Sequence, residues 1–204
     1  MDNAQPAGNY YDKYGTKNPI ARALMAGFLN SFDGLLAQCG EAKTALEVGC
    51  GEGELSIRVA KRGIRVSGFD ISPEIVDEAR RRSAAAGVSL SLRSDSIFNL
   101  RRDRDRADLI VCCEVMEHVD DPESAVDRLY EVCGHRLITS VPREPIWRMM
   151  NLMRGKYIRN LGNTPGHVQH WTTRGFMKLI GRRFKVIEVR TPLPWTMALC
   201  EPRT

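Results

Sequence analysis

From residue 44 onward, short and nearly continuous apolar runs alternate with amphipathic stretches. TALEV (44–48), RVSGFD (65–70), SLSLRSD (89–95), ADLIVCCEV (107–115) and HRLITSVP (135–142) read as five buried strands. ELSIRVAKRG after the first, SPEIVDEARRRSAAAG after the second and PESAVDRLYEVC after the fourth carry helical periodicity. Ser72 and Pro73 predict the cap and first position of the second of these helices, Gly87 its end, and Pro122 the start of the third. FKVIEVRT (184–191) and WTMALC (195–200) read as a closing antiparallel pair. Strands that are apolar throughout are buried on both faces, so the pattern predicts an α/β fold with a doubly wound, mostly parallel sheet.

Upstream, Asn18-Pro19 introduces a helical stretch in which Ile20, Leu24, Phe28, Phe32, Leu35 and Leu36 recur near the 3.6 period. Residues 143–183 differ in texture, mixing Trp147, Met149, Met150, Met153, Tyr157, Pro165, His167, His170 and Trp171. The expected organisation is one domain over 1–204, with an N-terminal helical lid at 1–40 and a substrate-covering insertion at 143–183. The 204 residues suit one such domain. No stretch approaches the ~20 apolar residues of a membrane span, and the first residues lack the basic start and apolar run of a secretory signal. A cytoplasmic protein is the expectation. Six cysteines without a C-x-x-C pair match a reduced compartment. Without H-E-x-x-H, or a third ligand evident beside His167 and His170, no metal site is expected. The net charge of +5 sits largely in arginine runs at 80–82, 101–106 and 182–183. The middle run, RRDRDR, alternates in sign and cancels much of its own field, so a solvated surface is the expectation and a nucleic-acid partner is not.

Candidate chemistry gathers at the strand ends, where open α/β sheets bind ligands. The first strand runs into Glu47-Val48-Gly49-Cys50-Gly51-Glu52-Gly53, whose glycines allow a tight turn and close approach of a ligand to the backbone. Asp70 ends the second strand, where a carboxylate can accept two ribose hydroxyls; Ser94-Asp95-Ser96 ends the third, and Glu114 the fourth. A dinucleotide fingerprint would be G-x-G-x-x-G. Here Glu54 stands at the third glycine, and Glu52 and Glu54 would face a pyrophosphate with like charge.

Together ALEVGCGEGEL, GFDIS, RSDSIF and DLIVCCEVMEHV resemble the class I S-adenosylmethionine-dependent methyltransferases, most closely the branch acting on small-molecule and lipid-like acceptors. The resemblance implies a Rossmann-like seven-stranded sheet and S-adenosylmethionine as cofactor, with S-adenosylhomocysteine as product. It further implies Glu47, Gly49, Cys50, Gly51 and Gly53 around the methionine portion, Asp70 on the ribose and Ile71 on the adenine. Asp95, with Ser96 and Ile97, would face the adenine amino group, and the backbone near Cys112 and Cys113 the methionine ammonium. Tyr11 and Tyr14 match an aromatic segment that closes over the cofactor.

Methyl transfer is an in-line displacement in which the protein chiefly holds nucleophile, methyl carbon and sulfur in line. Candidate bases are His167 and His170, three apart and near Trp171. Glu114, His118, Arg143 and Trp171 are candidate acceptor contacts, and the cationic, Met-rich character of 143–183 suits an anionic or amphiphilic small molecule. The motifs also leave open an RNA-modifying methyltransferase, or a repurposed fold that binds cofactor or nucleoside without transfer. Neither a catalytic cysteine beside proline nor an N/D-P-P-Y motif is present, which disfavours RNA.

Overall fold

The computed structural model describes residues 18–153, 155, 157 and 160–204. Seven strands form one sheet: β1 (Thr44–Val48), β2 (Arg65–Asp70), β3 (Leu90–Ser94), β4 (Ala107–Cys113), β5 (Cys133–Pro142), β6 (Phe184–Arg190) and β7 (Trp195–Pro202). Their order is β3-β2-β1-β4-β5-β7-β6. Pairings from β3 through β5 are parallel; β7 runs antiparallel between β5 and β6. The expected closing pair therefore exists, and its second strand is inserted beside β5. The helices are α1 (Pro19–Leu36), α2 (Glu54–Ala60), α3 (Pro73–Ala85), α4 (Arg102–Asp105), α5 (Pro122–Val132), α6 (Ile146–Met153) and α7 (Thr173–Ile180). None is long and apolar enough to cross a membrane.

Alternation along the strands divides the core. Leu46, Val48, Ile110, Cys112, Leu137 and Val141 face α5 and α7, where Val126, Leu129, Phe176 and Ile180 are buried. Ala45, Leu109, Val111, Ile138 and Leu199 face α1 and α2. Ser72 caps α3 through its hydroxyl, which accepts from the Ile75 N–H at 3.3 Å, and Gly87 follows the helix at φ +70°.

Two helices within the expected lid and insertion pack against the sheet. Phe28, Phe32, Leu35 and Leu36 of α1 are buried against the sheet, so the second half of this helix is a core layer. Ile20, expected on the same stripe, is 67% exposed. Phe32→Ala should destabilise the protein by about 3–5 kcal/mol in urea titrations; a change under about 1 kcal/mol would mean that α1 is dispensable cover. Likewise Phe176, Leu179 and Ile180 of α7 are buried on the opposite face, so α7 is the crossover helix to β6.

The arginine runs are paired on the surface. Arg80 bonds Asp77, Arg81 Glu78 and Arg101 Asp103; Arg182 reaches Glu123 at 3.1 Å and Arg183 Asp127 at 2.6 Å.

Candidate functional site

Strand order reverses at β1, which has β2 on one side and β4 on the other, so the carboxyl ends of these strands open a crevice. The loop from β1 to α2 lines it. Gly49 has φ +67°, and a Cβ there would collide with Val115; Gly53 has φ +84°, and a Cβ would stand 3.2 Å from Ala79. Both positions demand glycine, for backbone conformation and for packing. Cys50 donates its N–H to Phe69 O at 2.9 Å and buries its side chain against Val76, Ala79 and Leu92, so only its backbone faces the loop.

Asp70 braces this loop from β2. One carboxylate oxygen accepts the Gly51 N–H at 3.0 Å, the other the Ser72 N–H at 3.2 Å. Ile71, next in sequence, is 65% exposed. The acids of the loop are paired away from it, Glu52 with Arg82 at 2.8 Å and Glu54 with Arg58 at 2.8 Å.

Glu47 lies in the floor of the crevice. It is buried, and one carboxylate oxygen accepts from Ser56 Oγ. Burial pushes its carboxyl up to about 8; hydrogen bonds from Ser56 oppose the rise, and the charges of Asp70 and Glu54 add to it. The site holds a carboxyl whose ionisation a bound cation would complete.

Asp95, just after β3, is held by four hydrogen bonds. One of its oxygens accepts from the Ser96 N–H and Asn99 Nδ2, both at 2.9 Å; the other accepts from Arg93 Nε at 2.9 Å and Arg104 Nη2 at 2.8 Å. These four bonds occupy the acceptor positions of a carboxylate. Burial alone would raise the Asp95 carboxyl, but the hydrogen bonds and the Arg93 charge outweigh it and hold the group at about 2. Ser96 caps the turn at Ile97–Asn99, and Ile97 is buried in the core beneath the crevice.

At the end of β4 the chain turns sharply. Glu114 takes the left-handed region at φ 60°, a strain of about 1–2 kcal/mol for a residue with a Cβ. Its N–H bonds Ser140 O at 3.0 Å, and its carboxylate accepts from Ser140 Oγ at 3.1 Å and from Trp195 Nε1 at 2.6 Å. Cys113 is buried and burial pushes its thiol well up, which removes it as a nucleophile. The next turn, Met116–His118, is a separate 3₁₀ turn that ends before α5.

Residues 164–169 fold over this turn. The N–H groups of Val168 and Gln169 bond Glu117 O at 2.9 and 3.0 Å. His118 Nδ1 lies 2.8 Å from Gly166 O, and the His118 and His167 rings meet edge-on at 4.9 Å. Trp147 stacks on His167 at 5.8 Å, and its N–H is held by Thr164 Oγ1 at 2.9 Å. His167 and His170 do not share a helix face. Pro165-Gly166 forms a turn, the stretch 167–170 is irregular, and His170 instead sits 4.0 Å from Glu144. Arg143 bridges to Trp171 where β5 ends, and the Glu144 N–H bonds Trp171 O at 2.9 Å. Among the described residues, buried Arg143 Nε and Trp171 Nε1 have no hydrogen-bond partner. Tyr11 and Tyr14 lie outside the described residues.

Sequence reasoning missed Trp147 and Trp195 as residues that shape the site. Trp195 packs edge-on against Phe28 at 5.1 Å and lies 5.9 Å from Trp147, extending an aromatic row from α1 to His167. Only a knowledge of sheet order, which puts the start of β7 beside the end of β5, could have found it.

Residues 45–135 match a family model described as a methyltransferase domain. Among curated proteins, the ubiquinone biosynthesis O-methyltransferase of Marinobacter nauticus is 32% identical over 139 residues, covering 65% of this chain and 58% of its own. That of Proteus mirabilis is 30% identical over 162 residues, covering 76% and 64%. The chain thus spans less than two-thirds of the length of these relatives. Among solved structures, magnesium protoporphyrin IX methyltransferase from Synechocystis with bound S-adenosylhomocysteine superposes with a TM-score of 0.72 at 20% identity, over 93% of this chain and 90% of that one. The N-methyltransferase NodS of Bradyrhizobium japonicum, in complex with the same product, gives 0.69 at 18% identity over 96% and 94%. The sheet order and this superposition define a Rossmann-like methyltransferase fold. Over residues 45–135, which hold the glycine loop and the strand-end motifs, the chain is similar to this methyltransferase-domain family.

Proposed function

We infer that this chain transfers a methyl group from S-adenosylmethionine to an oxygen of a small-molecule acceptor. The observation that carries the reading is the buried Glu47 carboxyl beneath a loop of left-handed glycines braced by Asp70. A buried carboxyl with a raised pKa favours a cationic ligand. The sulfonium and ammonium groups of this cofactor supply one, whereas a pyrophosphate would not. Asp70 retains acceptor capacity for ribose hydroxyls, and exposed Ile71 offers the adenine an apolar face. With Asp95 engaged elsewhere, recognition of the adenine falls to the backbone around Ser96 and to Ile71. Transfer to oxygen is drawn from the O-methyltransferase relatives.

The acceptor of this reading is an amphiphile with an anionic oxygen. Arg143 and Trp171 bring two buried N–H donors to the end of β5, and such donors call for an oxygen acceptor. Met149, Leu152 and Met153 are exposed on α6, the helix that follows β5, and would meet an apolar tail. The pairing of the arginine runs with neighbouring acids supports a small molecule over RNA. The protein holds acceptor oxygen, methyl carbon and sulfur in line and keeps water out. Incubation with methyl-labelled cofactor and a panel of hydroxylated aromatics, with and without a carboxylate, tests this. Label should pass to the carboxylate-bearing members, and Arg143→Ala should raise their KM about tenfold or more with a smaller change in kcat. Equal use of neutral and anionic members would contradict the anionic subsite, and label transfer to nitrogen alone would contradict the oxygen acceptor.

A further inference from the structure

We propose that Glu144 is the base that takes the proton of the acceptor hydroxyl, and that His170 carries this proton on to solvent. The role rests on the reading of methyl transfer to oxygen. Among the described residues, four buried side-chain atoms around the end of β5 have no hydrogen-bond partner: Arg143 Nε, Glu144 Oε2, Arg148 Nε and Trp171 Nε1. Three are donors, and the Glu144 oxygen is an acceptor. Each buried polar atom left unpaired costs about 1–3 kcal/mol, so their concentration in one place marks a position that a polar ligand completes. An oxygen of the ligand satisfies the donors. The Glu144 oxygen calls in addition for a hydrogen from the ligand, and in the oxygen-transfer reading that hydrogen belongs to the hydroxyl to be methylated.

The backbone fixes this carboxyl from three sides. The Arg143 N–H bonds Pro194 O and the Glu144 N–H bonds Trp171 O, both at 2.9 Å, and the Trp147 N–H bonds Arg143 O at 3.0 Å where α6 begins. The Glu144 side chain is only 11% exposed, so a proton it gains has to leave through a neighbour. Its other oxygen, Oε1, faces Arg148 Nε at 3.6 Å and His170 Nδ1 at 4.0 Å. The His170 side chain is 33% exposed and so connects the buried carboxylate with solvent. Other carboxyls of the crevice are engaged: Glu114 accepts from Ser140 and Trp195, and Glu47 from Ser56.

In the step, the acceptor O–H bond breaks as its proton passes to Glu144 Oε2. An oxygen electron pair forms the new C–O bond to the methyl carbon. The C–S bond breaks with its pair retained on sulfur, so the sulfonium becomes a neutral thioether. The carboxylic acid left behind rotates and gives the proton to His170 Nδ1, and the ring releases one from Nε2 to water, which restores the carboxylate.

The test compares Glu144→Gln with wild type on carboxylate-bearing hydroxylated aromatics graded by electron-withdrawing ring substituents, so that the hydroxyl pKa falls from about 10 to about 7. On the least acidic acceptor kcat should fall at least about 100-fold. On acceptors already ionised at the assay pH the loss should shrink to within about threefold, because no proton is left to remove. Binding of S-adenosylhomocysteine should stay as in wild type. His170→Asn, at a partly exposed position, should slow the least acidic acceptor by about tenfold and leave the most acidic one unchanged. A purely structural role of either residue would slow every acceptor alike. A Glu144→Gln loss of equal size across the series, or no loss on the least acidic acceptor, overturns the proposal and leaves methyl transfer to oxygen in place. Wild-type protein that binds the product but methylates no hydroxyl removes the oxygen-transfer reading and the proposal with it.

Discussion

Replacing Glu47 by glutamine weakens cofactor binding by at least about 30-fold while making the ligand-free protein more stable at pH 8.5. The first effect follows from removing the negative partner of a desolvated cation, a loss of about 2–5 kcal/mol. The second follows from linkage. The Glu47 carboxyl ordinarily ionises near 4.5 and in the folded chain near 8. Between those values the native state holds a proton that the unfolded state has released, so stability falls as pH rises. The glutamine variant lacks this fall, because an amide carries no proton to lose and its oxygen still accepts from Ser56. Melting curves of wild type and variant should converge near pH 5 and separate by on the order of a few kcal/mol above pH 8. Parallel curves across that range would show that Glu47 is not held protonated. Calorimetry in buffers of differing ionisation enthalpy should also detect proton release when product binds to the wild type near pH 7, and none with Glu47→Gln.

Asp70→Ala is the second large effect. It removes the acceptor of two backbone N–H groups, those of Gly51 and Ser72, which shape the glycine loop and the start of α3. Each such bond contributes about 1–1.5 kcal/mol, so urea titration should show a loss of about 2–3 kcal/mol. Cofactor affinity should fall further than Asp70's direct contact accounts for, by about 100-fold, because the loop loses its brace as well as the ribose acceptor. Asp70→Asn should recover part of the stability by keeping one acceptor oxygen. Affinity within threefold of wild type in Asp70→Ala would remove this residue from the site.

The strands were legible in the sequence because their apolar runs are uninterrupted, and TALEV and RVSGFD match the observed β1 and β2 residue for residue. The glycine loop, Asp70 and the α3 cap were legible for the same local reason, since turn chemistry and capping depend on a few adjacent residues. What was hidden depends on distance along the chain. The position of β7 between β5 and β6 leaves no local trace, and with it the Trp195–Glu114 bond went unseen. Asp95 reads as a strand-end acid until Arg93 and Arg104 are found closing on it. His167 was read beside His170 by sequence spacing, whereas its neighbours in space are His118 and Trp147. Amphipathic helices look alike in sequence whether they pack on a sheet as core, like α7, or cover a ligand.

Calorimetric titration with S-adenosylhomocysteine, with NADH and NADPH as controls, tests the central claim most directly. The account predicts one product molecule bound per chain, weakened by Glu47→Gln and Asp70→Ala, and no heat from either nicotinamide. Binding of a nicotinamide dinucleotide in place of the product would contradict it.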